Sequence, residues 1–501
     1  HIICAGATTT ISVVLTGGTG PYTIVWNDGS NHTINNYVSG TNITVGPYPA
    51  GNTTITLTSV QDNNLCTPAS LGTPIVITVG STPTAATLTG TGDVCVGATS
   101  SLTFTVTNGV PPYDIIINGV TYLDRNSGSS ISLGALPVGS YTYNLTSVID
   151  ACGNPVPPAG LPGPYSFSVN EIPSAAGTVN NTPVICSNGV TDIVLQSSVP
   201  GSTLTWTVSS APAVTWIAGK APAGGTGVIG TVIGQNLQHT GSSPVTVTYS
   251  ITPAGPASTF CPGPAVTRNV VVNPTAELND PSDQTVCNGS ASAAVTFTTN
   301  RTGGVTTYSW TNSNTSIGLG ASGSGNLPSF TAINAGTSPV SATITVTPSF
   351  EGCPGTPQTF TITVNPSAQV NDPADQVHCA GTAVPVLAFT TNRTGGTTTY
   401  AWTNSNTAIG LAASGSGSLP AFTATNGGTS PINATITVTP TFTNGGQSCS
   451  GTPQTFTITV NPSAQVNDPA DQVHCTGTAV PALGFTTNRT GGTTTYAWTN
   501  S

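Results

Sequence analysis

The sequence predicts an all-β chain, a tandem array of β-sandwich units forming an extended rod, and three observations carry that prediction. The first is repetition. A 96-residue unit opens at Asn365 with NPSAQVNDPADQVHC, and the same text restarts at Asn461. Residues 461–501 match residues 365–405 except at Ala380/Thr476, Val386/Ala482 and Ala388/Gly484. A weaker copy starts at Asn273, shorter where SFEGCPG stands in place of TFTNGGQSCSG. Repeats of this length are whole domains, larger than solenoid units. The second observation is composition: β-branched residues abound, and Gly and Pro together number 99 of 501, which argues many strands and many turns. The third is strict alternation of apolar residues with Thr, which a disordered Gly/Pro/Ser-rich chain would lack.

Pro-marked joints at Thr82-Pro83, Ile172-Pro173, Asn273-Pro274, Asn365-Pro366 and Asn461-Pro462 divide the chain into units 1–82, 83–172, 173–273, 274–365, 366–461 and 462–501. Each joint is short, and a Pro with fixed φ holds the preceding residue extended, so neighbouring units are expected end to end with little swivel. Within the fifth unit Phe456, Ile458 and Val460 alternate with Thr455, Thr457 and Thr459, and Ile436 and Val438 with Thr435, Thr437 and Thr439. One strand face is apolar and the other a Thr ladder. Leu387 and Phe389 lead into the turn NRTGG, and Tyr400 and Trp402 follow it, which predicts a hairpin with an aromatic core. Trp26, Trp206, Trp310, Trp402 and Trp498 recur at this place, with Ile116 nearby in the second unit. A buried Trp on the third strand is what a sandwich core uses; the alternative is a Trp that stacks on sugar. The Gly-rich SGSGSLP around Gly415 lacks the Lys-Ser/Thr of a phosphate loop and is expected as a loop between strands.

The cysteines fall one early and one late in successive units: Cys4 and Cys66, Cys95 and Cys152, Cys186 and Cys261, Cys287 and Cys353, Cys379 and Cys449, with Cys475 left over. No CxxC or Cys/His cluster offers a zinc site. Five disulfides, one inside each unit, are the expectation, each closing a loop valued at about 4 kcal/mol by chain entropy; reduced buried thiols are the alternative. Cys475 is expected to be unpaired. Both chain ends fall inside a repeat, so the chain is expected to be a window on a longer polymer, with the partner of Cys475 at about position 541–545.

The wording of the units resembles known surface proteins. GGTGPYTIVW and YPAGNTTITLTSVQDNNLC in the first unit, with PPYDIIING and LPVGSYTYNLTSVIDAC in the second, resemble the repeats of SprB-type gliding-motility adhesins of Bacteroidota. TTNRTGGTTTYAWTNSNTAIGLAASGSGSLPAF and ATITVTPTF are similar to PKD-like domains of surface proteins from the same bacteria. The third unit, with Trp216 and Lys220, departs most. The resemblance implies an immunoglobulin-like sandwich in each unit, export, and a place on the cell surface as stalk or adhesin.

Chemistry is mostly excluded. A formal charge of −10 with six Lys plus Arg leaves little to neutralise nucleic-acid phosphates or anionic lipid. No apolar run reaches the ~20 residues of a membrane helix. Of His1, His32, His239, His378 and His474, the last two share a repeat position that holds Val94, Ile185 and Val286 elsewhere, which no catalytic base would tolerate. No acid, base and nucleophile recur together, so no enzyme activity is expected. Asp280 and Asp283, Asp372 and Asp375, Asp468 and Asp471 repeat as N-D-P-x-D-Q beyond a joint. They are candidates for holding calcium as a cofactor, or are turn formers. Asn-x-Ser/Thr sequons at Asn31, Asn42, Asn52, Asn144, Asn288, Asn300, Asn392, Asn433 and Asn488 are expected by chance in so Thr-rich a chain.

The expected function is a non-catalytic, extracellular stalk or filament segment, stapled by disulfides. The alternatives are an array contacting surface glycans, or spacer domains of a secreted hydrolase. Self-association into filaments is open, because the chain has a single Lys to guard its sheet edges; Pro348, Pro385, Pro440 and Pro481, bulges and glycans are expected to do so instead.

Overall fold

The computed structural model describes residues 2–210, 213–216, 223–258 and 260–501; His1 and Lys220 lie outside the described residues. The described elements are β-strands joined by loops, with single-turn 3₁₀ segments at Pro158–Gly160, Thr315–Ile317 and Thr407–Ile409 and no α-helix. Buried apolar residues form five separate clusters along the chain. The exposed area is 25663 Å², against about 17,000 Å² for a compact protein of this mass. The chain is a tandem array and not one globule.

The fifth unit shows the plan. Its main sheet runs, edge to edge, Gln376–Cys379, Gln454–Asn461, Ile432–Asn444, Thr397–Asn404 and Ser414–Ser416. The opening strand is parallel to the closing strand, so that Cys379 lies opposite Asn461; the other pairs are antiparallel. The hairpin strand Gln447–Ser450 folds back on the end of Ile432–Asn444. The second layer is sparse: Ala383–Val384 pairs with Phe422–Thr423, and Leu387 bridges Leu419. The alternation places Phe456, Ile458, Val460, Ile436 and Val438 in the core, while cross-strand pairs such as Thr435 with Thr457 and Thr437 with Thr455 lie on the outer face.

Trp26, Trp310 and Trp402 are buried core residues. In the second unit the place falls to Ile117, one residue beyond Ile116, because Tyr113 matches Tyr22 and Ile117 then matches Trp26. Two local expectations are corrected. NRTGG is not a hairpin turn: Leu387 pairs in the second layer and Tyr400 in the first, so the turn carries the chain between layers, and Phe389 meets Tyr400 across the core at 5.6 Å. SGSGSLP is not simply a loop. Ser414–Ser416 is an edge strand against the Trp strand, and Gly415 lies so close to the Trp402 indole that an added Cβ would stand 2.3 Å from Cζ2.

The sheet edges are also guarded differently. Pro348 and Pro440 sit in the central strand, opposite Tyr308 and Tyr400. Their missing N–H groups face the hairpin side, where the closing-strand ladder has ended at Val346 and Val438. The edges are protected by brevity, being two to four residues long in the fourth and fifth units.

Candidate functional site: the stapled joint

The disulfides overturn the expected pairing. Cys4 bonds Cys152, Cys95 bonds Cys261, Cys186 bonds Cys353 and Cys287 bonds Cys449, with Cα–Cα distances of 5.4–5.7 Å. Cys66, Cys379 and Cys475 are free and exposed. Each bond joins the early cysteine of one unit to the late cysteine of the next. The reason is topological. Because the opening strand runs parallel to the closing strand, the early cysteine ends beside the exit joint, as Cys287 does beside Asn365. The late cysteine follows the central strand, which runs the other way, and lies beyond Gln358, where the closing strand begins. Seven strand residues, roughly 23 Å, separate those two poles, and a disulfide needs its Cα atoms within about 7 Å.

At the later joints the sequence builds a docking surface. At the joint of the fourth and fifth units Asn365 is fully buried; its Nδ2 donates to the carbonyls of Asn444 (3.0 Å) and Gln447 (3.3 Å), and its Oδ1 accepts from Asn444 Nδ2 (3.0 Å). Those partners lie on the Cys449 hairpin, which the four extra residues of TFTNGGQSCSG lengthen. The NRTGG turn supplies the other contact. Arg393 Nη1 donates to Gly336 O (2.8 Å) and Thr394 N to Thr337 O (3.0 Å). Gly395, at φ +77°, passes so near Pro339 that a Cβ would lie 2.8 Å from Cδ. Arg301 and Thr302 repeat these bonds to Gly241 and Ser242, and Arg301 also pairs with Glu277 at 3.5 Å. Arg489 and Thr490 repeat them to Gly428 and Thr429.

The loop that receives the turn is held by one polar side chain. Asn334 Nδ2 donates to Val364 O and Ser338 O, and its Oδ1 accepts from Gly336 N; Asn426 does the same with Val460, Ser430 and Gly428. In the third unit His239 takes over. Its Nδ1 accepts from Gly241 N (2.9 Å), which leaves Nε2–H to donate to Ser243 O (2.6 Å). The sequence argued against a catalytic histidine, and the structural role of His239 was readable by aligning HTGSSP with NAGTSP and NGGTSP.

The second Asp of the acidic pair is tied to its own closing strand in the fourth and fifth units. Asp283 Oδ1 accepts from Thr361 N and Asp375 Oδ1 from Thr457 N, each at 2.6 Å, so the second carboxylate of the motif ties the segment before the opening strand to the closing strand. Among the described residues no group of three or more His, Cys, Asp or Glu side chains could hold a metal ion, and Asp280, Asp372, Asp468 and Asp471 join no such group. His32 rests on Trp26 at 4.1 Å with Nε2 2.9 Å from Asp28 Oδ1. Burial, and then the Asp28 hydrogen bond, push the Tyr48 phenol up to about 12. The cluster fastens loops of the first unit.

Fold and joints define an all-β tandem array of sandwich units. The family model described as PKD-like domain matches residues 183–276 and 284–368. Among solved structures, the chain is similar to Sidekick-1 immunoglobulin domains 1–5 (11% identity, 92% of this chain and 97% of that one, TM-score 0.23). It is also similar to the protocadherin GammaB4 extracellular domain (13%, 92% and 83%, TM-score 0.25) and to mouse cadherin-23 EC22–24 (13%, 58% and 98%, TM-score 0.26). No curated protein matches the sequence. No helix among the described residues is long and apolar enough to cross a membrane.

Proposed function

We propose that this chain is a non-catalytic stalk segment that limits its own extension under load, with units divided at the five Pro-marked joints. The observation that carries this reading is that all four disulfides cross joints. A staple inside a unit leaves the backbone as the single covalent connection between units; a staple across the joint adds a second. The shortest covalent route from Cys4 to Cys449 crosses to Cys152, returns to Cys95, crosses to Cys261, advances to Cys287 and crosses again. It holds roughly 80 residues where the backbone holds about 450, so the unfolded chain between those points reaches about 300 Å in place of ~1,500 Å. Disulfides persist in oxidising surroundings, which supports an extracellular place, and the resemblance to SprB-type and PKD-like repeats supports a secreted bacterial surface adhesin, gliding motility included. Single-molecule stretching between Cys4 and Cys449 tests the mechanical claim. Reductant is expected to lengthen the fully unfolded span about fivefold; equal spans with and without reductant would refute it.

A further inference from the structure

The loops closed by the staples overlap along the chain. They run 4–152, 95–261, 186–353 and 287–449, so each begins before its predecessor ends. Every peptide bond between Cys4 and Cys449 therefore lies inside at least one loop, and the stretches 95–152, 186–261 and 287–353 lie inside two. The joints are covered once each: Cys4–Cys152 spans Thr82-Pro83, Cys95–Cys261 spans Ile172-Pro173, Cys186–Cys353 spans Asn273-Pro274 and Cys287–Cys449 spans Asn365-Pro366. Exposed connecting segments are where proteases nick a folded chain. At the joint of the second and third units, Glu171 and Ile172 are both exposed. Had the cysteines paired inside units, one cut there would have parted the chain.

We propose that the staples have a second function: they keep the array one covalent molecule after a protease has cut it, so that severing it takes two independent events. In the first, water adds across one peptide C–N bond and leaves a carboxylate and an amine. In the second, two electrons and two protons from a thiol reductant turn the spanning disulfide into two thiols, and the reductant becomes a disulfide. Burial guards this second event, because thiol exchange requires access to a sulfur. Cys261, Cys353 and Cys449 are 0%, 1% and 2% exposed, so a thiolate can approach those three staples only at their half-buried partners Cys95, Cys186 and Cys287. At the first joint both Cys4 and Cys152 are half-buried. The inference uses the staple pairing and involves no load: a chain retained after cutting but equal in span with and without reductant would leave it standing and remove the stalk reading.

The chain's three Glu supply the test. Cleavage after Glu171, Glu277 and Glu351 makes the pieces 1–171, 172–277, 278–351 and 352–501. Cys95–Cys261 joins the first piece to the second, Cys186–Cys353 the second to the fourth, and Cys287–Cys449 the third to the fourth. The full chain, with Cys66, Cys379 and Cys475 alkylated to prevent exchange, is digested by a Glu-specific endoprotease in mild denaturant until a reduced sample shows four pieces. Denaturing electrophoresis without reductant is then expected to show a single species at the size of the uncut chain. In the variant C95S/C261S residues 1–171 are expected to leave without reductant, whereas in C4S/C152S, whose staple lies wholly within the first piece, no piece leaves. Loss of any piece from the unreduced native chain or from C4S/C152S, or retention of residues 1–171 by C95S/C261S, would overturn the proposal.

Discussion

The joint of the first and second units and that of the fourth and fifth carry the same staple on different chemistry. Opposite Cys4 stands Gly80; opposite Cys287 stands Asn365. At the first joint Val110, 6% exposed, is pressed against Gly80, and a Cβ on Gly80 would lie 2.0 Å from Val110 Cγ2. At the second, the matching contact is a polar latch of Asn365 with Asn444 and Gln447, joined by Arg393 on Gly336 O. The geometry of the cross-link is therefore set by sheet topology, which the units share, while the packing beneath it follows local sequence.

Breaking the staples tests that separation with the largest effect. The closed loops span 148 residues for Cys4–Cys152 and 162 for Cys287–Cys449, and chain entropy values either at as much as about 5 kcal/mol. The double variants C4S/C152S and C287S/C449S are expected to lose stability by amounts within about 1 kcal/mol of each other by calorimetry. A strongly unequal loss would show that the docking chemistry, and not the loop, sets the contribution of the staple.

The packing is probed next. Gly80→Ala is expected to destabilise the first joint by about 1–3 kcal/mol through overpacking, and Val110→Ala in the same chain to restore most of it, a coupling that a double-mutant cycle reads directly. Asn365→Ala removes three part-buried hydrogen bonds to Asn444 and Gln447, and about 1–2 kcal/mol is expected. Calorimetry of the two variants would remove the contrast if Asn365→Ala were neutral.

Much of the fold was legible because alternation is local. Phe456, Ile458 and Val460 declare one buried face, and the recurring Trp declares the third strand. The joint was less legible. Cysteines that alternate early and late fit pairing within a unit and pairing to the next equally well, and only the parallel opening strand, a contact about 80 residues apart in sequence, decides between them. NRTGG reads as a turn, but its Arg acts on a carbonyl roughly 60 residues upstream in the preceding unit. Likewise N-D-P-x-D-Q showed two carboxylates and nothing of the strand N–H that one of them accepts.

The smallest effect concerns the loops that carry the late cysteines. At the first joint the hairpin is organised by Asp150, whose carboxylate accepts from the N–H groups of Val110, Cys152 and Asn154. Asp62 repeats the pattern in the first unit, accepting from Cys66 N (2.8 Å), Thr19 N (3.1 Å) and Asn64 N (2.9 Å). Those bonds, Cys66 N–H first, hold its carboxyl below the usual carboxylate range against the opposing pull of desolvation. A carboxyl depressed in the folded state contributes stability that is complete above its unfolded value, about 4, and is lost as pH falls through the folded value. The Cys66 loop is therefore expected to hold at neutral pH and to loosen below about pH 4. Falling pH slows every thiol, so the informative quantity is the reactivity of Cys66 relative to Cys475 in the same molecule, measured with an acid-tolerant dipyridyl disulfide. That ratio is expected to rise below about pH 4 in the native chain, and to be high and flat with pH in Asp62→Asn, whose neutral amide accepts the N–H groups more weakly. A flat ratio in the native chain would show that the three N–H bonds do not hold the loop.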